Sequence, residues 1–420
     1  MEAFVTHRRS LSSLPPSEGQ PVDLPLADFG RFVDFLAGGK EVACSLVGGE
    51  PTLHPDFAQL VATARRKKIE PLVETCGVVL DEVAKLLVAE RVNVSLRLYH
   101  PRFYDPEERQ RLIAFGEELA RQQLPLCVVV VASENEDDYA WVGEFLGHVP
   151  CRQFVLRTTA ALDAAGRRRF ARWASEGCPS YLEAGGALVL DCGLQPCAFA
   201  DADYGRLLRH GVRLQECVPR PGVNPALRVY HCREMVDFPG APLAAFKTVQ
   251  QVREYFFRRH NDLQWDYRFF PDCPPCPSLR FAKCQGPCMG IKARRLAAEA
   301  VRLKAAVAED GAVEPLVDLG RALFALSQFG EAEQCLAEAR RLEPARGDVH
   351  LLLARVLAAL DRLDEAEEEY RKTARLLPGG EGALMEWAHL LRGRGKEVRA
   401  RRVEEEARLL ARERAKDAAG

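Results

Sequence analysis

Short apolar runs alternate with amphipathic stretches over the first 160 residues. The apolar runs fall near 2–6, 41–47, 70–75, 92–98, 124–131 and 152–157. Apolar residues at helical spacing fill the intervals near 28–37, 56–68, 80–90, 106–122 and 136–147. Acidic residues that favour a first helical turn stand at Asp28, Asp105 and Glu136. Repeated units of this kind predict an α/β fold with a parallel sheet or a partial barrel of six strands.

The remaining 260 residues do not follow this pattern, and they form two regions of different composition. Residues 161–290 are richer in Pro, Gly and Cys, and only one clear helix is predicted there, near 246–259. This composition predicts a small irregular domain whose fold needs an internal cross-link. Residues 291–420 consist mainly of helix formers and predict a linker helix followed by an all-α region. We therefore expect three domains, over 1–160, 161–290 and 291–420.

The last region carries an internal repeat of 34 residues. Small residues recur at Ala332, Ala366 and Ala400, and prolines recur at Pro344 and Pro378. This register resembles the tetratricopeptide repeat, in which small residues lie where two helices cross and a proline ends the second helix. Two copies match the repeat pattern well and a third matches it poorly, so the third could serve as a terminal capping repeat. A plain helical bundle is the alternative.

Charge and hydropathy limit the kinds of partner and the cellular compartment that we expect for this protein. The chain has 58 Lys plus Arg against 60 Asp plus Glu, which gives no electrostatic case for binding nucleic acid or a membrane. No apolar run reaches the ~18 residues of a membrane span, and the N-terminus lacks the apolar core of a signal peptide. We expect a cytoplasmic protein. In a reducing compartment, 14 Cys indicate metal, cluster or catalytic chemistry rather than disulfides.

Eight of the cysteines predict metal centres. Four of them follow the pattern C-x2-C-x7-C-x3-C, at Cys273, Cys276, Cys284 and Cys288. Four more lie upstream, at Cys192, Cys197, Cys217 and Cys232. Thiols at such spacing can point at a common centre, and eight are enough for two four-thiolate sites. Spacing alone slightly favours structural Zn over an Fe–S cluster. We expect the six other cysteines to pack in strands and helices.

A glycine motif follows the second predicted strand. Gly48, Gly49, Glu50 and Pro51 stand there in succession, and paired glycines allow a close backbone approach to a ligand. The segment resembles the Gly-Gly-Glu-Pro motif of radical S-adenosylmethionine (radical SAM) enzymes. In that family the motif ends the second barrel strand and receives the amino group of S-adenosylmethionine (SAM). The resemblance covers roughly residues 1–290 and implies a partial (β/α)6 barrel.

Further positions can be carried over from this resemblance. Cys76 replaces the Asn of the segment that follows strand 3 in the family, and Ser95 matches the strand 4 serine that contacts the cofactor. The Asp-Gly pair that usually follows that strand is replaced by Arg97 and Leu98. Asn135 and Arg157 match positions that can face the methionyl carboxylate.

The eight cysteines of 192–288 resemble a SPASM or twitch extension, which holds auxiliary [4Fe–4S] clusters. The order of ligands in that family implies one cluster on Cys217, Cys232 and Cys288 and another on Cys273, Cys276 and Cys284. Cys192 and Cys197 could complete them, since the seventh SPASM cysteine, expected after Cys288, is absent. The glycine that the family places five residues before Cys232 is Leu227 here.

The N-terminal segment departs from the family. Radical SAM enzymes carry C-x3-C-x2-C after strand 1, and those thiolates hold the cluster that chelates the cofactor. The corresponding positions here are Arg9, Ser13 and Pro16, and Cys44 is the first cysteine of the chain. Arginine stays cationic, the serine hydroxyl is a poor neutral ligand, and proline offers no ligand atom. The radical-initiating cluster therefore cannot be built in the usual way.

Three functions are compatible with these features. The first is a catalytically silent relative that keeps one or two auxiliary clusters and acts as a substrate-binding, electron-relay or regulatory partner in the maturation of a peptide or protein. It would dock an active radical enzyme or another protein through its repeats. The second is an active enzyme with altered SAM chemistry or with a cluster completed by a partner. The third is a Zn-stapled repeat protein that mediates interactions.

Overall fold

The computed structural model describes two compact units, residues 1–293 and 294–420. It describes all residues except 12–21, 133–138, 152, 160–161, 184, 192, 213–216, 267–272, 274–275, 277–283, 285, 287 and 418–420. The first unit has an α/β fold and the second is all-helical, as the sequence predicts. The predicted boundary at residue 160 stays a prediction, and the sheet continues past it.

A mostly parallel sheet forms the framework of the first unit. Within the described residues it has nine strands: β1 Glu2–Thr6, β2 Ala43–Gly48, β3 Glu70–Thr75, β4 Asn93–Leu98, β5 Leu126–Ala132, β6 Gln153–Thr158, β7 Ala187–Leu190, β8 Gly222–Val223 and β9 Val229–Tyr230. Their spatial order is β7-β6-β5-β4-β3-β2-β1-β8-β9, and only β8 and β9 pair antiparallel. The six strands predicted from the apolar runs are confirmed, and β7 adds a seventh parallel strand beside β6.

Helices connect successive strands of this sheet up to β8. They are α1 Leu26–Gly38, α2 Phe57–Arg66, α3 Asp81–Ala89, α4 Pro106–Arg121, α5 Ala140–His148, α6 Ala164–Gly177, α7 Pro179–Glu183 and α8 Asp201–Arg209, and α9 Val249–Asp266 follows the last strand. The predicted start of α4 is confirmed, because the Asp105 side chain accepts from Glu108 N at 2.8 Å while Asp105 N donates to the Glu108 carboxylate at 2.9 Å. This reciprocal pair satisfies backbone donors that the first helical turn would leave unpaired.

The two faces of the sheet have different chemistry. Alternate residues of the central strands, such as Val128 and Val130, pack with the helices in one large apolar core. Their neighbours along each strand point to the opposite face. On that face Glu74 of β3 contacts Arg157 of β6, although two strands lie between them. This direct contact indicates that the face is concave, and charged side chains fill it.

Helix pairs build the second unit. The chain passes from α10 Met289–Asp310 into α11 Val313–Ala325, α12 Phe329–Leu342, α13 Gly347–Ala359, α14 Leu363–Leu376, α15 Glu381–Gly393 and α16 Glu397–Asp417. Ala332, Ala366 and Ala400 are fully buried on the second helix of each pair. At Gly320 a Cβ atom would lie 2.5 Å from Leu336 Cγ, so the crossing of α11 and α12 requires a small residue. The 34-residue register therefore reflects the packing of successive hairpins.

No helix among the described residues combines the length and the apolar character that crossing a bilayer requires.

Candidate functional site

Gly48 and Gly49 lie directly against the end of β1. Gly48 has a φ of +142°, and a Cβ atom there would lie 2.4 Å from Thr6 O. At Gly49 a Cβ atom would lie 2.0 Å from the carbonyl oxygen of Arg8. Backbone hydrogen bonds hold this approach, from Gly49 N to Thr6 O at 2.9 Å and from Glu50 N to Arg8 O at 2.6 Å. The glycines are thus required by packing of the chain on itself.

Glu50 is buried, and its carboxylate is used by the protein. Thr52 Oγ1 donates to one carboxylate oxygen at 2.7 Å, and Cys76 N donates to the other at 2.9 Å. Pro51 begins the short 3-10 turn Pro51–Leu53 that leads away from β2. Glu50 therefore ties the end of β2 to the end of β3.

Polar contacts hold the described residues that directly follow β1. The Arg8 guanidinium contacts the Asp23 carboxylate at 2.9–3.1 Å, and Arg8 N donates to Thr6 Oγ1 at 3.0 Å. Ser10 Oγ lies 2.7 Å from Cys76 Sγ. Ser13 and Pro16, two of the three positions compared with the family's cluster ligands, lie outside the described residues.

Arg97 occupies the backbone carbonyls of the glycine motif. Its guanidinium donates to Gly48 O at 3.1 Å and also to Gly49 O. Arg97 is only 7% exposed, and its Nε lies 3.4 Å from Glu74 Oε1. An arginine side chain is always charged at physiological pH. By its resemblance to the family, the glycine motif would receive a ligand ammonium. Here its carbonyls accept hydrogen bonds from a cation of the chain itself.

Glu74 lies at the centre of a cluster of guanidinium groups on the concave face. Its carboxylate accepts from Arg157 at 3.0 Å and from Arg233, and it faces Arg97. Burial alone would raise the pKa of Glu74, but the charges of Arg157, Arg233 and Arg97 outweigh burial and lower the pKa to about 2. Glu74 is therefore ionised at neutral pH.

Two further carboxylates extend this cluster. Asp191, just after β7, accepts from Arg157 Nε at 3.1 Å and from Arg220 at 3.3 Å. Glu2, at the start of β1, accepts from Arg233 at 3.0 Å. Arg157, predicted to face a ligand carboxylate, is thus held between two carboxylates of the protein.

Two other predicted cofactor contacts can be located only in part. Ser95 is buried on β4, in register with Glu74 on β3 and Cys127 on β5. Its hydroxyl hydrogen-bonds the Cys127 thiol, which opposes the rise in the pKa of Cys127 that burial causes. Asn135 lies outside the described residues, so its role stays a prediction.

Three of the predicted metal-ligating thiols share one cavity. Cys217, Cys232 and Cys288 line a space of about 60 Å³ beside the concave face. The same cavity is lined by Arg157 and Arg220, so thiolates or a cluster there would have cations close by. Leu227, which replaces the glycine of the family, has a φ of +50°, a region that favours glycine.

Cys197, which follows β7, interacts electrostatically with a second set of thiols. Burial raises the pKa of Cys197, and the thiols of Cys284, Cys273 and Cys276 raise it further. We therefore associate Cys197 electrostatically with Cys273, Cys276 and Cys284, and whether these four thiols bind one centre stays a prediction.

Lys292 is a buried lysine that interacts electrostatically with thiols of both sets. It is 1% exposed, in the first turn of α10. Burial lowers the pKa of Lys292, and interaction with Cys217, Cys273, Cys284 and Cys288 raises it in part. A buried ammonium at this place favours negative charge on the surrounding sulfur atoms.

No complete metal site is preassembled in the part of the chain that the structure describes. There, no group of three or more His, Cys, Asp or Glu side chains is arranged to hold an ion. Cys192 lies outside the described residues, as do many neighbours of Cys273 and Cys284. The assignment of the eight thiols as ligands therefore stays a prediction, although the two sets have a donor chemistry that fits Fe–S or Zn centres.

Sequence reasoning missed the carboxylates and guanidiniums of the concave face. Glu2, Glu74, Asp191, Arg220 and Arg233 were not singled out, and Arg97 entered only as a departure from the family. One signal was available: Glu74 and Arg97 each interrupt an apolar run that predicts a buried strand. Charged residues at such positions require partners, because an isolated buried charge is costly.

Comparison with known proteins identifies the repeats. The tetratricopeptide repeat family model matches residues 317–381. These residues therefore form tetratricopeptide repeats. No curated protein matches the chain.

Solved structures show partial likeness to this chain. SuiB of Streptococcus suis bound to S-adenosylmethionine is 13% identical over 69% of this chain and 69% of SuiB, with a TM-score of 0.47. SuiB bound to the precursor peptide SuiA is 14% identical over 69% of this chain and 71% of SuiB, also with a TM-score of 0.47. MamA is 26% identical over 28% of this chain and 69% of MamA, with a TM-score of 0.25.

Proposed function

We propose that this protein is a catalytically silent relative of radical SAM enzymes with a SPASM-like extension. It keeps one or two auxiliary [4Fe–4S] clusters and acts beside an active enzyme in the maturation of a peptide or protein. Its part there is to bind substrate, to relay electrons or to regulate the active partner. Its tetratricopeptide repeats would dock that partner, since repeats of this type present extended surfaces for protein binding.

The lack of cysteine in the segment after β1 carries this proposal. Its contacts to Asp23 and to Glu50 N are made by Arg8, and the chain has no cysteine before Cys44. Reductive cleavage of SAM needs an iron cluster that both chelates the cofactor and delivers an electron to it. A segment without thiolates offers no ligands for such a cluster, so this chain alone would not start a radical reaction.

The two sets of thiols support the auxiliary clusters. Cys197 with Cys273, Cys276 and Cys284 would hold one cluster, and Cys217, Cys232 and Cys288 would hold the other, with Cys192 as a candidate fourth ligand. When bound, such clusters supply one-electron transfer. Around them the chain provides Lys292 and the guanidiniums of Arg157 and Arg220, whose positive charge stabilises a reduced, more negative centre.

Anaerobic purification followed by counting of iron and sulfide tests this function. We expect brown protein with both elements, a loss of part of the iron in Cys197→Ser, and no loss in Cys335→Ser, whose residue lies on α12 outside both sets. Incubation with SAM and dithionite should release no 5′-deoxyadenosine. Zinc without iron and sulfide would favour the Zn-stapled interaction protein, and turnover to 5′-deoxyadenosine would establish an active enzyme.

A further inference from the structure

The concave face places two complementary pairs of groups side by side. The first pair is the Arg97 cation on the carbonyls of Gly48 and Gly49. The second is the Glu74 carboxylate on the Arg157 guanidinium, at 3.0 Å. The two pairs adjoin, because Arg97 Nε lies 3.4 Å from Glu74 Oε1.

This arrangement has the charges of a bound α-amino acid. Such a ligand presents an ammonium, which needs carbonyl or carboxylate acceptors, and a carboxylate, which pairs well with a guanidinium. Arg97 supplies the cation and Glu74 supplies the anion, from adjacent strands β4 and β3. The acceptors and donors that an amino acid would use are therefore already satisfied within the protein.

We propose that Arg97 and Glu74 occupy the subsite for the amino-acid end of a ligand and close this protein to SAM. A ligand ammonium could reach the two carbonyls only if the Arg97 guanidinium left them. That guanidinium is buried and has Glu74 as its carboxylate neighbour, so its displacement would break both contacts at once. SAM does not fit the residues present, and exclusion of the cofactor is a property separate from the absence of a radical-initiating cluster.

The same geometry predicts how the ammonium half of the subsite can be opened. Replacing Arg97 by alanine removes the cation and leaves Gly48 O and Gly49 O free to accept from a ligand. Glu74 keeps its contacts to Arg157 and Arg233, so the remaining charges stay paired. Arg97→Lys keeps a cation at the position and is the matched control.

Calorimetric titration of the full chain tests the inference with two ligands. SAM carries the amino-acid group, whereas 5′-methylthioadenosine keeps the nucleoside and the sulfur but lacks the ammonium and the carboxylate. For the wild type we expect SAM to bind no tighter than 5′-methylthioadenosine. For Arg97→Ala we expect SAM to bind at least about tenfold tighter than it binds the wild type, with 5′-methylthioadenosine unchanged and Arg97→Lys unchanged.

Two results would overturn the inference. One is a wild type that binds SAM about tenfold or more tighter than 5′-methylthioadenosine. The other is an Arg97→Ala variant with a wild-type melting temperature and no gain in SAM affinity. If the alanine variant does not fold, Arg97→Met replaces it, because its side chain fills part of the space without donating to either carbonyl. Tight SAM binding without cleavage would refute this inference alone, whereas protein without iron would refute the proposed clusters alone.

Discussion

Replacing Glu74 by glutamine removes a charge that three guanidiniums share, with little change in shape. Glu74 is 4% exposed, and Arg97, Arg157 and Arg233 all face its carboxylate. Arg157 and Arg233 retain Asp191 and Glu2 after the substitution. Arg97 then loses its nearest carboxylate, so we expect the largest effect between β3 and β4.

The size of the effect follows from the pKa of Glu74. A value lowered from 4.5 to about 2 means that the fold prefers the ionised carboxylate by about 3 kcal/mol. Because the folded pKa lies below the unfolded one, this stabilisation is present above pH 4.5 and is lost as pH falls towards 2. Glu74→Gln should therefore cost about 3 kcal/mol at neutral pH, and less as pH falls below 4.5.

Hydrogen exchange of the full chain, read by mass spectrometry on peptides of β3 and β4, measures this loss. A cost of about 3 kcal/mol makes the openings that expose these strands on the order of a hundredfold more frequent. The matched control is Glu70→Gln in the same strand. The Glu70 side chain is 44% exposed in its ion pair with Arg65, and such surface pairs contribute at most about 1 kcal/mol.

The comparison of Glu74→Gln with Glu70→Gln tests whether the buried charge cluster stabilises the sheet. If Glu74→Gln and Glu70→Gln accelerate exchange equally, the buried charge cluster does not stabilise the sheet as argued. The same conclusion would follow if the effect of Glu74→Gln did not diminish between neutral pH and about pH 3, since the ionised carboxylate could not then be its source.

Two further predictions concern packing and protonation. Gly49→Ala would bring a Cβ atom to 2.0 Å from the backbone oxygen of Arg8 and should cost about 1–3 kcal/mol in urea unfolding, whereas Gly30→Ala on α1 has open space and should be neutral or stabilising. Equal midpoints would contradict this. The hydrogen bond to Glu369 raises the pKa of His350 above 6.5, so α13 and α14 should exchange faster as pH rises through that pKa, after correction for the intrinsic rate. A His350→Gln variant with the same pH dependence would exclude this pair as its cause.

Local patterns were enough to predict most of the elements. The apolar run at 124–131 became β5 because continuous apolar residues suit a strand buried on both faces. Asp105 began α4 because its carboxylate can accept from the backbone three residues later. The 34-residue spacing of Ala332, Ala366 and Ala400 predicted the repeats, since each alanine lies at the same helix crossing. These features depend on residues close in sequence or on strict periodicity.

The candidate site could be predicted only in part, because its partners are far apart in sequence. Arg97 and Gly48 are 49 residues apart, and Arg157 and Glu74 are 83 apart. Single residues such as Gly49 could be singled out from the sequence. Their partners could not, because no local pattern records which guanidinium meets which carbonyl or carboxylate once the sheet curves.

The sequence by itself determined the α/β unit, the repeats, the set of eight cysteines and the absence of cysteine before Cys44. These are properties of composition and spacing, which the chain carries before it folds. Only the tertiary structure decided that Cys217, Cys232 and Cys288 line one cavity, and that Arg97 lies on the carbonyls of the glycine motif. Both depend on side chains brought together from distant segments, because a buried charge or thiol takes its properties from its neighbours in space.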